Sequence, residues 1–597
     1  MRTAHRSALL TTAIALTLLA PAGAGAQQGP EPLRIAINGF ENNLTPFSIT
    51  FGAAPNTNDL VALVYDTLFW SQVKQDPEPW LADSATPNAD FTEWTVVLRE
   101  GVQWQDGKPL TARDVAFTFD YYKKQAGASG RYGHHVADIP VFGSARVVDD
   151  RTVVLSYNSP APQFKVMPGA DLPILPQHVW EGVTDPKTMG TGLPIGSGPF
   201  RLVEIVPDQR YRFTANPDYF KGKPTVAELE LPVVKDPSAA FAALRTGEVS
   251  SVTVNVPGEL FEQFSTNPDI ELAKSSRFQS TQVNFNARKP PFDDPKLRKA
   301  ISMATDRQAL VDTVLLGHAT PGLPTYLDPD SPWAVDSSAP DYDPEAAKAM
   351  LDAAGYPAGA GGARTTPAGA PLAISLLASS FSPQDIRAGQ VIAQQLAPLG
   401  IALTVEALDP ATLQARRRAE PGVTPTYDAY VSTLESHGHV DPDALYYFFH
   451  SPGKKGFGGA ITGYSNPRFD ALAEAGAVAT DDERKDLTAQ MQEILAQDVP
   501  SMALWYRDGD WAYRPADYDG WVEDPGQGIF IKRSFLPEYV DQARAAGNSG
   551  TGGGATRASD DSASSLLLPA VGVGAIALIG AGVLVARRRR PVGDDDD

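Results

Sequence analysis

The chain of 597 residues carries 71 Asp and Glu against 50 Lys and Arg, a formal net charge of −21, and no cysteine. The missing cysteine excludes disulfides, thiolate metal sites, a cysteine nucleophile and a lipid-modified N-terminal cysteine. The acidic balance argues against nucleic acid or an anionic surface as partner, because the dense basic runs are Arg416-Arg417-Arg418, read as a solvated helix face, and Arg587-Arg588-Arg589-Arg590.

At the front, Arg2, His5 and Arg6 precede an uncharged run from Ser7 to Ala20, and Ala24-Gly25-Ala26 offers small residues for signal-peptide cleavage after Ala26. The first strand of the mature chain is read at Arg34 to Asn38, and the loop after it brings Asn42, Asn43 and Phe47 toward a cleft. Asp106-Gly107 suits a tight turn, and Thr111 is placed to cap the helix that follows by accepting from the amide of Asp114 or Val115. Gly196-Ser197-Gly198-Pro199 has the look of a phosphate loop, but no lysine follows and Phe200 to Ile205 reads as strand, so it is a turn. Asn216-Pro217-Asp218-Tyr219 is a turn with its ring tucked beneath it.

Asp294-Pro295 is an N-cap followed by proline in the first turn, with Leu297 and Ile301 on one face. A second helix is capped by Thr305 or Asp306, turns Leu310, Val314 and Leu315 inward and stops at Gly317. Leu372 to Leu377 (strand), Pro383 to Leu399 (helix), Ile401 to Ala407 (strand), Pro410 to Ala419 (helix) and Tyr427 to Leu434 (strand) make a βαβαβ run, which right-handed crossovers turn into a parallel sheet. Ligands of such sheets lie at the carboxyl ends of strands. Those ends are Ser379-Ser380-Phe381, Leu408-Asp409 and Glu435-Ser436-His437-Gly438-His439. Residues 541–565 turn to Gly, Ala, Ser, Thr and Asp, the composition of a flexible tether. Leu566 to Ala586 is free of charge and long enough for one membrane crossing at about 1.5 Å per residue, with the arginines after it favouring the cytoplasmic side for 587–597. Leu568-Pro569-Ala570-Val571-Gly572 is similar to a sortase signal but lacks its threonine.

Several motifs occur together in a fixed order. They are Pro79-Trp80-Leu81-Ala82-Asp83, the run from Leu98 to Val115 around Gln105-Asp106-Gly107-Lys108-Pro109-Leu110-Thr111, Gly196-Ser197-Gly198-Pro199-Phe200, Asn216-Pro217-Asp218-Tyr219-Phe220, Asn284-Phe285-Asn286 and Pro291-Phe292-Asp293-Asp294-Pro295. Asp306-Arg307, Asp352-Ala353-Ala354-Gly355-Tyr356, Asp441-Pro442-Asp443 and Tyr464-Ser465-Asn466-Pro467 continue the series. From about Leu33 to about Leu536 the chain resembles the family 5 extracytoplasmic solute-binding proteins of ABC importers, the group with oligopeptide-, dipeptide- and nickel-binding members.

The resemblance implies an α/β, two-lobed periplasmic-binding-protein-like fold of type II in its large three-domain variant, with a hinge between lobes. Domain I would comprise 27–74, 190–283 and 503–540, an inserted domain II 75–189, and domain III 284–502, with crossings near Asn284-Phe285-Asn286 and Leu504-Trp505-Tyr506. It implies a monomeric, non-catalytic, cofactor-free and metal-free protein at the cell membrane, body outward, that captures a peptide or other small polar solute and hands it to ABC permease subunits. A surface sensor or adhesin, or a nickel-chelate binder, are the alternative readings. No G-x-S-x-G or H-E-x-x-H marks an enzyme. By resemblance Phe278, Gln282 and Asn284 join Phe381 at the cleft. Peptide-binding members hold the ligand's amino group with an aspartate just before Asp-Pro-Asp. Here His437 and Gly438 stand there, and Glu435 is the nearest upstream carboxylate. A buried ammonium without a counter-charge costs several kcal/mol, so the expected ligand is held by neutral hydrogen bonds and stacking, as an oligosaccharide or modified peptide would be, unless Glu435 turns inward and supplies the counter-charge for a cationic peptide terminus. His437 and His439 are open to three readings: hydrogen bonding in the cleft, contact to a metal ion, or no ligand contact.

Overall fold

The computed structural model describes residues 31–41, 44–47, 57–72, 75–126, 142–186, 192–274, 280–336, 342–417, 425–434, 442, 445, 448–451, 461–507, 509–524 and 528–548, all within one compact unit that ends at Asn548. The export signal, the 566–586 segment and the 587–597 tail lie outside these residues. Among the described residues no helix is long and apolar enough to cross a membrane.

The described strands form two large sheets and two small ones. A seven-stranded sheet runs in the order Glu271–Lys274, Asp510–Tyr513, Ser251–Val252, Leu33–Ala36, Glu228–Pro232, Arg210–Ala215, Phe200–Val206. A six-stranded sheet runs Ala319–Pro321, Ser501–Arg507, Ser280–Phe285, Ala429–Leu434, Ala373–Ser379, Ala402–Leu408. Between Phe69 and Tyr157 lie a two-stranded ladder and a four-stranded antiparallel sheet, Ala82–Pro87, Glu93–Leu98, Thr152–Tyr157, Phe142–Val147. The large apolar core around Trp94, Phe119, Phe164 and Phe200 joins this inserted part to the seven-stranded sheet, while a separate core around Phe285, Leu297, Leu310, Ile392 and Trp505 builds the six-stranded lobe.

The chain passes between the two large sheets twice. Glu271–Lys274 is followed through 275–279 by Ser280–Phe285, and Ser501–Arg507 is followed by Asp510–Tyr513. Glu271–Lys274 pairs antiparallel with Asp510–Tyr513 in one sheet and Ser280–Phe285 antiparallel with Ser501–Arg507 in the other, so the strands that flank the two passages are neighbours in both sheets.

Local signals in the sequence have visible physical outcomes. The βαβαβ run gives strands Ala373–Ser379, Ala402–Leu408 and Ala429–Leu434, mutually parallel with the first in the middle. The Asp294 carboxylate accepts from the Lys296 amide at 2.9 Å and caps Pro295–Met303. Asp306, not Thr305, caps Arg307–Val314 through the Ala309 amide at 2.9 Å. The Thr111 hydroxyl accepts a first-turn amide as expected, but from Arg113 at 3.3 Å and not from Asp114 or Val115, while the Thr111 amide and hydroxyl both donate to the Asp114 carboxylate at 2.8 and 3.2 Å. Arg416 and Arg417 are not simply solvated. Arg416 pairs with Glu406 at 2.6 Å, and Arg417 lies over the Tyr430 ring. Gly196 and Gly198 are glycines because the chain presses on Val64: a β-carbon on Gly196 would stand 1.9 Å from the Val64 carbonyl oxygen, to which the Gly198 amide donates at 2.8 Å. Helix Pro537–Asn548 carries regular structure into the stretch read as tether.

One buried ion pair ties distant segments together. The Asp66 carboxylate receives Lys532 Nζ at 2.6 Å, Trp80 Nε1 at 2.8 Å, Tyr219 Oη at 2.9 Å and Ser197 Oγ at 2.8 Å. The Lys532 and Asp66 side chains are 2% and 0% exposed, and the ammonium sits over the rings of Trp70 and Trp80. Burial lowers the lysine's pKa and the Asp66 charge opposes that shift. Three motif positions, Trp80, Ser197 and Tyr219, thus converge with Lys532 on one carboxylate.

Candidate functional site

One parallel strand of each large sheet leads to a common cavity at its carboxyl end. Leu33–Ala36 and Ser251–Val252 are parallel neighbours, and the chain leaving the second bonds back to the first and to the crossing strand, with the Thr253 amide on Ala36 O at 3.0 Å and the Val256 amide on Asp510 O at 2.9 Å. It then enters helix Gly258–Ser265. Across from it, Ala373–Ser379 is followed by Ser382, whose hydroxyl caps helix Pro383–Leu396 and so fixes Gln384 and Asp385 in its first turn. A cavity of about 70 Å³ lies between these ends, lined by Asn255, Gly258, His318, Gln384, Arg507 and Asp510 among others.

Its walls carry charge from both sides of the second crossing. Arg507, the last residue of its strand, donates from Nη2 to Gln384 Oε1, and burial lowers its pKa while Asp385 opposes the shift. The Asp385 carboxyl is raised by burial, against Ser382 and Arg507. Asp510, the first residue of the next strand, is buried with Oδ2 3.7 Å from His318 Nδ1, and the His318 ring rests on Phe261 with centroids 4.2 Å apart. Such a mixed cationic and anionic wall suits a polar solute that can both donate and accept hydrogen bonds.

The residues expected at the cleft are distributed differently. Gln282 and Asn284 are brought together, Gln282 Nε2 donating to Asn284 Oδ1 at 2.8 Å and Asn284 Nδ2 to Ser432 Oγ at 2.9 Å. Both are buried on the sheet face that presents Ala503 and Tyr506, beneath a cluster with Tyr326, Phe449 and Phe469, and they do not line the 70 Å³ cavity. Phe47 is buried among Tyr121, Tyr122 and Trp180, with centroid distances of 5.7, 4.7 and 5.3 Å. Near it, Thr45, Tyr65, Val179 and Leu193 line a second cavity of about 180 Å³. Phe381 is 81% exposed at the carboxyl end of its strand. Asn42, Asn43, Phe278, Glu435, His437 and His439 lie outside the described residues. Sequence reading missed Asn255, His318, Gln384, Arg507 and Asp510. The one available signal was Arg507-Asp508-Gly509-Asp510, a charged stretch of sequence that interrupts an apolar run.

Residues 76–457 match the model of the bacterial extracellular solute-binding proteins, family 5, middle region. The chain belongs to this family. It is 32% identical over 330 residues to a putative ABC transporter peptide-binding protein of Brucella ovis, an alignment that covers 53% of this chain and spans 59% of that relative's length. It is 26% identical over 371 residues to the nickel-binding periplasmic protein of Escherichia coli, covering 61% of this chain and 69% of that one. Among solved structures it superposes on the oligopeptide-binding protein of Bacillus subtilis, determined in complex with a nonapeptide, with a TM-score of 0.70 at 24% identity, covering 83% of this chain and 97% of the other. The fold is the two-lobed α/β fold of periplasmic oligopeptide-binding proteins.

Proposed function

We propose that this protein captures a peptide, or another small polar solute of similar hydrogen-bonding capacity, between its two lobes and presents it to the permease of an ABC importer. The observation that carries the reading is the pair of adjacent antiparallel crossings with a charged cavity at their side. Rotation about two neighbouring strands swings the lobes as bodies while each sheet keeps its ladder. Ligand sites occupy about 300–1,000 Å³, so a cavity of about 70 Å³ admits an oligopeptide only when the lobes part. A ligand that touches both lobes then draws the population toward the closed form. Peptide is placed first on the names of the Brucella and Bacillus proteins. The departure at His437 and Gly438 favours a peptide held without its free amine, with Phe381 offering a face for stacking.

The domain layout of the reading is that of the sequence: a discontinuous domain I, an inserted domain II at 75–189 and a domain III ending near 502. Leu566 to Ala586 tethers the body outside the membrane. Three experiments test this. Native mass spectrometry of the purified full chain should find a retained solute, and calorimetry should give binding of tri-alanine and N-acetyl-tri-alanine with comparable affinity. Binding of the nickel–histidine complex alone, or of none of these probes by a chain that retains no solute, overturns the peptide reading. In cells the full chain should sediment with membranes and a chain ending at Asn548 should not. Membrane association of both retires the tether.

A further inference from the structure

Helix Gly258–Ser265 belongs to the seven-stranded lobe, where its Phe264 is buried with Phe241, Leu244 and Ile270. Two of its other residues bear on the opposite lobe. Phe261 carries the His318 ring. Gly258 faces the turn that follows helix Arg307–Val314 so closely that a β-carbon there would stand 2.8 Å from the Leu315 carbonyl oxygen and 3.3 Å from both Leu316 Cβ and His318 Cδ2. The obstacle at 2.8 Å is backbone, which cannot swing aside as a side chain would. The turn itself has little freedom, since Leu316 holds a φ of 55° and Gly317 a φ of 87°, a conformation that few residues with a branched side chain adopt. His318 at its end meets Asp510, the first residue of the strand after the second crossing.

Nothing within the helix asks for glycine at 258. The position is the first of the helix and alanine has the higher helix propensity. Only the facing turn excludes a side chain. We propose that Gly258 and Phe261, bearing on Leu315, Leu316 and His318, form the fulcrum on which the two lobes turn, and that the missing side chain at Gly258 sets how closely they approach. The inference rests on the capture reading above and adds to it the contact that limits closure. Gly258 and His318 line the cavity at the carboxyl ends of the strands, so a wedge placed there spreads the lobes on the cleft side.

The chain has no native cysteine, so Lys223→Cys and Lys485→Cys, both exposed and one on each lobe, take spin labels cleanly in the full-length protein. Pulsed electron–electron distance measurements without added ligand should show longer distances in Gly258→Ala and longer still in Gly258→Val. The exposed neighbour Glu259→Ala should keep the wild-type distribution. If the valine variant does not fold, the alanine variant carries the test alone. Wild-type or shorter distances in a folded Gly258→Ala or Gly258→Val protein would overturn the fulcrum. Solute retention by the wild type is read separately by mass spectrometry. A chain whose distances shift but which retains no solute retires capture and leaves the fulcrum standing, and the reverse pattern retires the fulcrum alone.

Discussion

Replacing Lys532 with Met tests whether the Asp66 pair holds the C-terminal segment to the body. The methionine keeps most of the aliphatic packing under Trp70 and Trp80 but removes the ammonium 2.6 Å from a carboxylate that is 0% exposed. Removing one partner of a buried pair costs about 3–5 kcal/mol, because the remaining charge stays desolvated without compensation. Asp66 keeps three neutral donors, from Trp80, Tyr219 and Ser197, which places the expected cost at the lower end, about 3 kcal/mol. The second variant separates charge from packing. In Lys532→Met with Asp66→Asn neither charge of the pair is left buried, the amide oxygen accepts from Trp80 and Tyr219 while the amide nitrogen donates to the Ser197 hydroxyl, and at least half of the loss should return. Urea unfolding followed by tryptophan fluorescence reads both, since Trp70 and Trp80 line the pair. A single variant that costs less than about 1 kcal/mol, or a double variant no more stable than the single, would show that the pair is incidental to the fold.

Two further outcomes are expected. Asp524 accepts from Trp70 Nε1 at 3.0 Å, and burial pushes its carboxyl from near 3.8 up to about 6, against the Arg533 charge. Between those values the native state holds a proton that the unfolded chain has released, so this residue makes stability fall as pH rises from about 4 to about 6, by up to about 3 kcal/mol; Asp524→Asn should remove that slope in melts across the window, and an unchanged slope refutes the assignment. Gly196→Ala drives a β-carbon to 1.9 Å from the Val64 carbonyl oxygen, an overpacked backbone contact that should cost about 3 kcal/mol or more, and a wild-type melting temperature would contradict it.

The sequence by itself determined what is local or repeated along the chain. Asp294-Pro295 announced a helix start because a short polar side chain can reach the first free amides and proline fits the first turn. The spacing of strands and helices from Ala373 to Leu434 implied parallel pairing, because a crossover of that length has one handedness. The ordered motifs marked the family. Tertiary structure alone decided which polar residues meet. Gln282 and Asn284 alternate with Val283 and Phe285, so period two puts them on one face, but only the cluster around Tyr326, Phe449 and Phe469 decides that this face is buried. Asp66 and Lys532 carry no local mark of partnership across more than four hundred and sixty positions. The charged cavity is assembled from Asn255, His318, Gln384, Arg507 and Asp510, which belong to four separate stretches of chain. Their approach follows from the pairing of Glu271–Lys274 with Asp510–Tyr513 and of Ser280–Phe285 with Ser501–Arg507, and strand pairing of that range is set by which apolar faces can be buried together, a choice made by the whole chain and not by any segment of it.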